Sequence, residues 1–284
     1  MYKYNLKADV RYGDKKLKIE NGSKEYLLLS ERGSDKRKSL NELNGARNLS
    51  ASQEHLNFMR KIKENELSKF QTFDLSLDRE KCLFRPIKDL PFEMFKLSHL
   101  KRLHLDGNKI KYLPDILGQN LIHLEILTVS NNKLTKLPDT LFNMNKLCSI
   151  HLSNNKFNEF PNVLCKIKSL VFLDISSNQI EVLPNDIGDL KNLQTLLMNH
   201  NNIKVLPDTI GKLKNLKTFW IGFNNIEKLP YDIVKLNQLE WNFQKHDFNF
   251  STIFSNNPIT SPPIEVLEQG LDQIVNYFSK SNLK

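Results

Sequence analysis

The side chains that could support catalysis are a histidine, an aspartate and nearby serines. His151 and Asp174 lie 23 positions apart in two successive segments of similar sequence, and Ser153 and Ser176 follow them by two residues. If the segments form adjacent strands, the imidazole and carboxylate can meet, and a serine beside such a pair would suggest a hydrolase. However, neither serine has the sequence of a strained nucleophile elbow, and no oxyanion donor can be identified. We therefore interpret the two residues as a surface ion pair and predict that the chain is not an enzyme.

Metal and cofactor sites are not indicated either. The seven histidines and three cysteines do not approach the spacing of metal ligands, and glycine-rich phosphate loops are absent from the sequence. We expect no metal, no cofactor and no small-molecule substrate. Cys82, Cys148 and Cys165 are odd in number and scattered, which favours reduced thiols in the cytoplasm, or alternatively in the nucleus, over a disulfide framework.

The positive charge is concentrated near the N-terminus. The 284-residue chain carries a net charge of +9, and residues 1–69 hold 16 lysines and arginines against 10 acidic residues. Such a segment could attach to an acidic membrane surface or to nucleic acid. A solvated tail is the simpler interpretation, and we expect neither membrane nor nucleic acid as the main partner. No run of about 18 apolar residues could span a bilayer, and the first residues lack the apolar core of a secretion signal.

A repeat of 23 residues organises most of the chain. Each unit reads Leu-x-x-Leu-x-Leu-x-x-Asn-x-Leu-x-x-Leu-Pro-x-x-Ile-x-x-Leu-x-x, with conservative exchanges. The alternation at its start predicts a strand with one buried face, and the proline should begin the return segment as a short helical turn. Because each unit can bury its leucines only against its neighbours, the units should stack into a solenoid. They begin at Leu100, Leu124, Leu147, Leu170, Leu193 and Leu216, and Leu239 opens the next.

An asparagine recurs directly after each predicted strand. The chain must turn inward at this point, which leaves buried backbone groups in need of partners. A carboxamide both donates and accepts hydrogen bonds, so a stack of these side chains can satisfy adjacent turns. The recurring residues are Asn108, Asn132, Asn155, Asn178, Asn201 and Asn224.

The pattern resembles the leucine-rich repeat, in the 23-residue Leu-Pro-x-x-Ile form of cytosolic scaffolds of the Ras-associated type. The segment NNPITSPPIEVLEQGLDQIVNYF near the chain end is similar to the closing segment of Roco proteins, of the calponin-homology-fused group and of the ubiquitin ligase that combines these repeats with SAM and RING domains. The resemblance implies an α/β horseshoe solenoid. Its parallel β-sheet would be concave, its helical turns convex, and both ends would carry helical caps.

The segments outside the regular units are assigned as follows. In residues 1–30, Asn21-Gly22 lies between apolar flanks and predicts a β-hairpin. Residues 31–50 are polar and typical of a flexible linker. Residues 51–69 have apolar positions at helical spacing and should form an N-terminal capping helix.

Repeats then extend over residues 70–261, and residues 262–284 should form a C-terminal capping helix. The stretch from Leu239 to Asn257 is ten residues longer than the pattern allows. The additional residues, 242–251, form an insertion with no assigned role.

Strand positions that alternate with the buried leucines should point from the concave face of the sheet. Neighbouring strands lie about 4.8 Å apart, so residues in one column across the sheet can touch. Three consecutive repeats place large apolar side chains there with polar residues around them, which is typical of a protein-binding hot spot. The alternative is that the insertion or the hairpin covers this group. The predicted partner-binding residues are Phe172, Asp174, Leu197, His200, Trp220 and Phe223.

Together these features predict a non-catalytic, monomeric, cytoplasmic scaffold or adaptor in intracellular signalling, whose concave face binds a protein. One alternative is the substrate-recognition part of a ubiquitin ligase or Roco-type assembly, with catalysis supplied by another chain. The other alternative is attachment of the basic N-terminal segment to an acidic membrane or to nucleic acid.

Overall fold

The computed structural model describes residues 71–76, 86–239 and 254–280, together with the backbone of 9–12, 15–18, 27–28, 252–253 and 281. The predicted linker, the predicted N-terminal capping helix and the insertion at 242–251 lie outside these residues. Within the described helices, none has both the length and the apolar composition needed to cross a bilayer.

One parallel sheet runs through the repeats. Each repeat contributes a strand of two or three residues, and successive strands pair in register. Two further strands, β1 (Asp9–Tyr12) and β2 (Lys15–Lys18), form an antiparallel pair outside it. The sheet contains β3 (Leu27–Leu28), β4 (Thr72–Asp74), β5 (Arg102–His104), β6 (Ile126–Thr128), β7 (Ser149–His151), β8 (Phe172–Asp174), β9 (Thr195–Leu197), β10 (Thr218–Trp220) and β11 (Thr252–Ile253), in that spatial order.

The N-terminal strands differ from the hairpin expected at Asn21-Gly22. β2 pairs with β1, whereas β3 adds in parallel to β4 at the edge of the large sheet. The dipeptide between β1 and β2 is Gly13-Asp14, itself a sequence typical of a two-residue hairpin turn. β3 instead obtains its backbone partners from the sheet edge.

The return segments are short helices on the opposite side of the repeats from the strands. Two are α-helical, α1 (Ile116–Asn120) and α2 (Val163–Lys166). The others are 3₁₀ turns, and a proline in extended conformation precedes each of them, as expected from its fixed φ and missing N–H group. The 3₁₀ turns are Phe92–Lys96, Asp139–Asn143, Asn185–Asp189, Asp208–Lys212 and Tyr231–Lys235.

The core lies between the sheet and these turns and continues from repeat to repeat. The middle residue of each strand points into it and is fully buried, from Leu103 to Phe219. The turns pack so closely that a Cβ atom at Gly211 would lie 2.2 Å from the carbonyl oxygen of Asp232. A glycine is therefore required at position 211.

The predicted asparagine ladder is present. The Asn178 amide donates to the carbonyl of Ile175 in its own repeat, at 3.1 Å, and to that of Leu152 in the preceding repeat, also at 3.1 Å. Its Oδ1 atom accepts the N–H of Phe157, again from the preceding repeat, at 3.2 Å. The same double link joins each described repeat to its predecessor, up to Asn257. Each asparagine therefore connects two turns that would otherwise bury unpaired backbone groups.

Two helices follow the last strand, α3 (Ile264–Leu267) and α4 (Leu271–Ser281). Leu267, Ile274 and Phe278 are buried and belong to the continuous core. The ring of Phe278 also meets Tyr231 of the last 3₁₀ turn edge-on, with centroids 5.7 Å apart. These helices cover the leucines of the final repeat.

Candidate protein-binding face

The concave face consists of the first and third residues of each three-residue strand and of the turn that follows. The strand register aligns the third residues of the strands into one central column. Asp74 of β4 and Ile253 of β11 continue it at the two ends. Between them the column contains His104, Thr128, His151, Asp174, Leu197 and Trp220.

Two of the predicted contact residues are not exposed. Phe172 and Leu197 lie on the concave face, but only 4% of the surface of each remains accessible. The His151 ring stacks on Phe172 with centroids 4.5 Å apart, and Leu197 lies in register between Asp174 and Trp220. Because strands about 4.8 Å apart bring large side chains into contact, these two residues form the buried floor of the face. The expectation that a partner would meet them directly is wrong.

The remaining predicted residues are accessible to different degrees. Asp174 and Trp220 are half-buried, whereas His200 and Phe223 are exposed. His200 and Phe223 stack with ring centroids 4.2 Å apart and an angle of 16° between the planes. The structure therefore joins these two residues into one exposed aromatic pair, and 47% of the Phe223 surface is accessible.

The aromatic pair occupies an unusual backbone conformation. His200 and Phe223 both have φ of 56°, in the left-handed region. Their backbone N–H groups donate to the next repeat, at Gly222 (3.1 Å) and Ser255 (2.9 Å), so the sheet itself imposes this turn. Left-handed geometry costs an L-residue about 1–2 kcal/mol and is rare for a bulky side chain. Equivalent positions in other repeats carry Gly107, Asn131, Asn154, Ser177 and Asn256.

This backbone strain was not predicted from the sequence, although a comparison of the repeats with one another indicates it. Small or amide residues fill the position in five repeats, and the two aromatic exceptions are consecutive. Glycine and asparagine adopt positive φ at low cost, whereas phenylalanine does not. Aromatic residues at a position that otherwise carries small or amide residues indicate that the side chains of His200 and Phe223 serve a purpose other than forming the turn.

The other half of the face is polar and tightly hydrogen-bonded. Asp106 accepts from the Thr128 hydroxyl (Oγ1 to Oδ2, 2.5 Å) and from the Ser130 N–H (2.6 Å). Burial raises the pKa of Asp106 to about 6. At neutral pH the Thr128 proton is therefore directed to the carboxylate, and Thr128 Oγ1 must accept from His104 Nδ1, 3.0 Å away. This chain of contacts fixes the His104 tautomer.

The surface ion pair expected between His151 and Asp174 does not form. The two residues are in register on adjacent strands, but burial lowers the pKa of His151 to about 4, against the opposing attraction of Asp174. The imidazole is therefore neutral at pH 7, and its Nε2 atom lies 3.1 Å from Ser149 Oγ. Among the described residues Asp174 has no cationic partner.

The serines near this pair have other roles. Ser153 Oγ donates to Ser130 Oγ at 3.0 Å, and Ser176 Oγ donates to Asn199 Oδ1 at 2.8 Å. Ser149, which does contact His151, is only 1% exposed and cannot meet a substrate in this conformation. Over the part of the chain that the structure describes, no three His, Cys, Asp or Glu side chains are grouped to hold a metal ion.

Comparison with known families gives two matches within the repeats. A model described as leucine-rich repeat region matches residues 162–241, and one described as leucine rich repeat matches residues 122–180. Comparison with curated protein sequences gives no match.

The solved structures with similar folds include proteins of bacteria and of a plant. A leucine-rich repeat protein of Leptospira interrogans is 26% identical with a TM-score of 0.54, covering 73% of this chain and 54% of that protein. The ectodomain of the Arabidopsis thaliana membrane receptor kinase GASSHO1/SCHENGEN3, solved with CASPARIAN STRIP INTEGRITY FACTOR 2, is 27% identical with a TM-score of 0.57, covering 68% of this chain and 22% of the receptor. An internalin of Listeria monocytogenes is 21% identical with a TM-score of 0.51, covering 72% of this chain and 60% of the internalin, and shares the fold.

This chain therefore spans about half the length of the Leptospira protein and less of the plant receptor. The parallel strands, the asparagine ladder and the proline-initiated turns agree with these similarities. The predicted fold is confirmed: the chain folds as an α/β leucine-rich repeat solenoid.

Proposed function

We propose that the chain is a non-catalytic interaction module that binds a partner protein through the C-terminal half of its concave face. The exposed His200–Phe223 pair would make the main contacts, with Trp220 and Asp174 beside it. One observation carries the proposal: Phe223 is held in a strained backbone conformation and is nevertheless 47% exposed.

The strain has no evident structural benefit. A glycine or asparagine at position 223 would form the same turn without the cost of about 1–2 kcal/mol. An exposed phenylalanine also recovers little hydrophobic free energy, since half of its surface still faces water. Strained residues persist where function requires them, and aromatic side chains are prominent among the residues that dominate protein interfaces.

The surroundings of the pair fit such an interface. Phe172 and Leu197 are buried beneath the face and give it a rigid floor. Asn199, held by Ser176 at 2.8 Å, and the half-buried Asp174 provide polar contacts around the rings. A preformed surface of this kind loses little conformational entropy on binding.

The similar structures support a protein as partner. The plant receptor ectodomain, 27% identical to this chain, was solved in complex with CASPARIAN STRIP INTEGRITY FACTOR 2. Leucine-rich repeat proteins in general act as protein-interaction scaffolds, and by this analogy the chain would serve as an adaptor.

For the cellular setting we propose a monomeric cytoplasmic signalling adaptor of the 23-residue Leu-Pro-x-x-Ile type. The repeat sequence supports the subtype, and the unpaired thiols of Cys148 and Cys165, both buried, are compatible with a reducing compartment.

The test compares two phenylalanines of similar exposure on opposite sides of the repeats. Phe142, in the 3₁₀ turn Asp139–Asn143, is 50% exposed, against 47% for Phe223. Phe223→Ala should weaken the binding of partners isolated with the wild-type chain at least tenfold, because a hot-spot aromatic contributes about 2 kcal/mol. Phe142→Ala should leave binding unchanged. Equal retention of the partners by both variants would contradict the proposed site.

A further inference from the structure

In the middle of the concave face, Asp174 is a carboxylate that has no counter-charge among the residues the structure describes. Oδ1 accepts the N–H of Ser176 at 3.0 Å. No lysine or arginine among the described residues forms an ion pair with it, whereas other acids of the solenoid, such as Asp189 with Lys168 at 3.1 Å, are paired.

The neighbours of Asp174 cannot neutralise it. Across the strands it lies between His151 and Leu197, and Phe172 precedes it on the same face of β8. Burial keeps His151 uncharged at neutral pH, and the other two side chains are apolar. A half-buried charge among such neighbours is poorly screened by water, so its attraction for a cation is stronger than on an open surface.

The spacing between this charge and Trp220 is fixed by the sheet. Asp174 ends β8, and Trp220 ends β10 in the same column, two strands further on. Two inter-strand steps amount to about 10 Å, and an extended chain advances about 3.3 Å per residue. Three residues of an extended segment running across the strands therefore cover the distance from Asp174 to Trp220, and Phe223 follows Trp220 in the turn after β10.

Building on the proposed function, we infer that the partner presents an extended segment with a lysine or arginine about three positions from a bulky apolar residue. The basic side chain binds the Asp174 carboxylate, and the apolar side chain packs on Phe223 and Trp220. A charge-assisted hydrogen bond from lysine or arginine is the strongest contact available to this carboxylate. An acidic segment would be repelled by it.

The decisive experiment selects from a random peptide display library on the immobilised full-length chain. The wild-type chain should enrich peptides with a basic residue three positions from an aromatic or large aliphatic one. Asp174→Asn should remove the enrichment of the basic residue and keep that of the apolar one. Asp189→Asn, which removes an equal charge from the convex side, should select the same peptides as the wild-type chain.

A selected peptide, resynthesised, then provides the affinity measurement. Its affinity should fall about tenfold for Asp174→Asn, and its salt dependence should be reduced because the charge pair is lost. Enrichment of the apolar residue alone, or the same basic residue with Asp174→Asn, would overturn this inference and leave the proposed function standing. No enrichment at all, or the same peptides selected by Phe223→Ala, would overturn both.

A photo-crosslinking amino acid in place of His200 identifies the occupant directly. With the selected peptide present, the peptide should be the main crosslinked species. Crosslinking instead to the chain's own basic N-terminal segment, or to a second copy of the chain, would mean that the face is already occupied and would overturn the inference.

Discussion

Removal of one rung of the asparagine ladder should weaken the whole solenoid. Asn178 is 9% exposed and links two repeats through three backbone groups: the carbonyls of Leu152 and Ile175 and the N–H of Phe157. Asn178→Ala leaves the Phe157 N–H without a partner, whereas the carbonyls of Leu152 and Ile175 each lose one of two donors and keep the amides of Asn155 and Asn201. An abandoned buried N–H costs about 1–3 kcal/mol, and each lost hydrogen bond to a carbonyl costs about 0.5–1.5 kcal/mol. Taking the lower end of both ranges, we expect a loss of about 2 kcal/mol in the free energy of unfolding.

A loss of this size is a large share of the total stability of a typical domain, about 5–15 kcal/mol. The matched control is Asn192→Ala. Asn192 is exposed and makes a single hydrogen bond, to the carbonyl of Lys168 at 2.9 Å. Because water can replace that bond, its removal should cost less than about 1 kcal/mol. Both variants replace the same residue type, so the difference isolates the burial of the ladder.

Asn178→Asp refines the test. Its carboxylate can still accept the Phe157 N–H but places negative charge against the carbonyl oxygens of Leu152 and Ile175. The folded state therefore favours the protonated carboxyl group, which can donate to a carbonyl, and the pKa in the folded state is raised. The variant should be destabilised at pH 7 and should recover stability relative to the wild-type chain as the pH falls towards 4.

Urea unfolding followed by circular dichroism measures all three variants. If Asn178→Ala and Asn192→Ala reduce the free energy of unfolding by the same amount, the ladder does not couple the repeats and the reasoning fails. A constant difference between Asn178→Asp and the wild-type chain from pH 7 to pH 4 would show that the amide does not act as a donor to these carbonyls.

The remaining predictions concern three other positions. Between pH 7 and pH 4, the free energy of unfolding of the wild-type chain should fall by about 3 kcal/mol relative to that of His151→Gln, because the imidazole takes up a proton in the unfolded chain and resists it in the folded chain, where its pKa is about 4. The same difference in free energy of unfolding between the two proteins at both pH values, measured by urea unfolding, would contradict this. Gly211→Ala should cost at least about 2 kcal/mol in thermal or urea unfolding, because its Cβ would lie 2.2 Å from the Asp232 carbonyl oxygen; a cost below about 0.5 kcal/mol would show that the turns can separate. Phe223→Asn should raise the free energy of unfolding by up to about 1 kcal/mol while weakening partner binding at least about tenfold; a less stable variant would mean that the phenylalanine is there for packing.

The repeat architecture was predictable because each structural requirement recurs with the same period. A leucine that is buried in one repeat implies that the equivalent leucine of the next repeat is buried. Because successive strands pair in register, the same alignment of the repeats gives the positions of all these leucines. The asparagine ladder was predictable for the same reason, since Asn178 and its equivalents must solve one hydrogen-bonding problem in every turn. The strand register then assigned the central column of the concave face without further information.

Exposure on that face was not predictable from one unit at a time. The sequence places Phe172 and Leu197 on the open side of the sheet, but their accessibility depends on the residues beside them in the column. The ring of His151 stacks on Phe172 and covers it, because neighbouring strands are only about 4.8 Å apart. The charge of His151 depends on the same crowding, which is why the expected ion pair with Asp174 does not form.

The strained position after the strands shows how a repeat protein can separate stability from function. Stability in a solenoid is approximately a sum over repeats and their interfaces, so a cost at Phe223 is carried by its own repeat. Asn224, the next residue, makes the ladder bonds of that repeat, to the carbonyls of Met198 and Ile221 at 3.0 and 2.9 Å. These bonds hold the turn whatever side chain occupies position 223. Because the ladder fixes the backbone, a bulky ring can be displayed there at a local cost, and its loss should impair binding without loosening the fold.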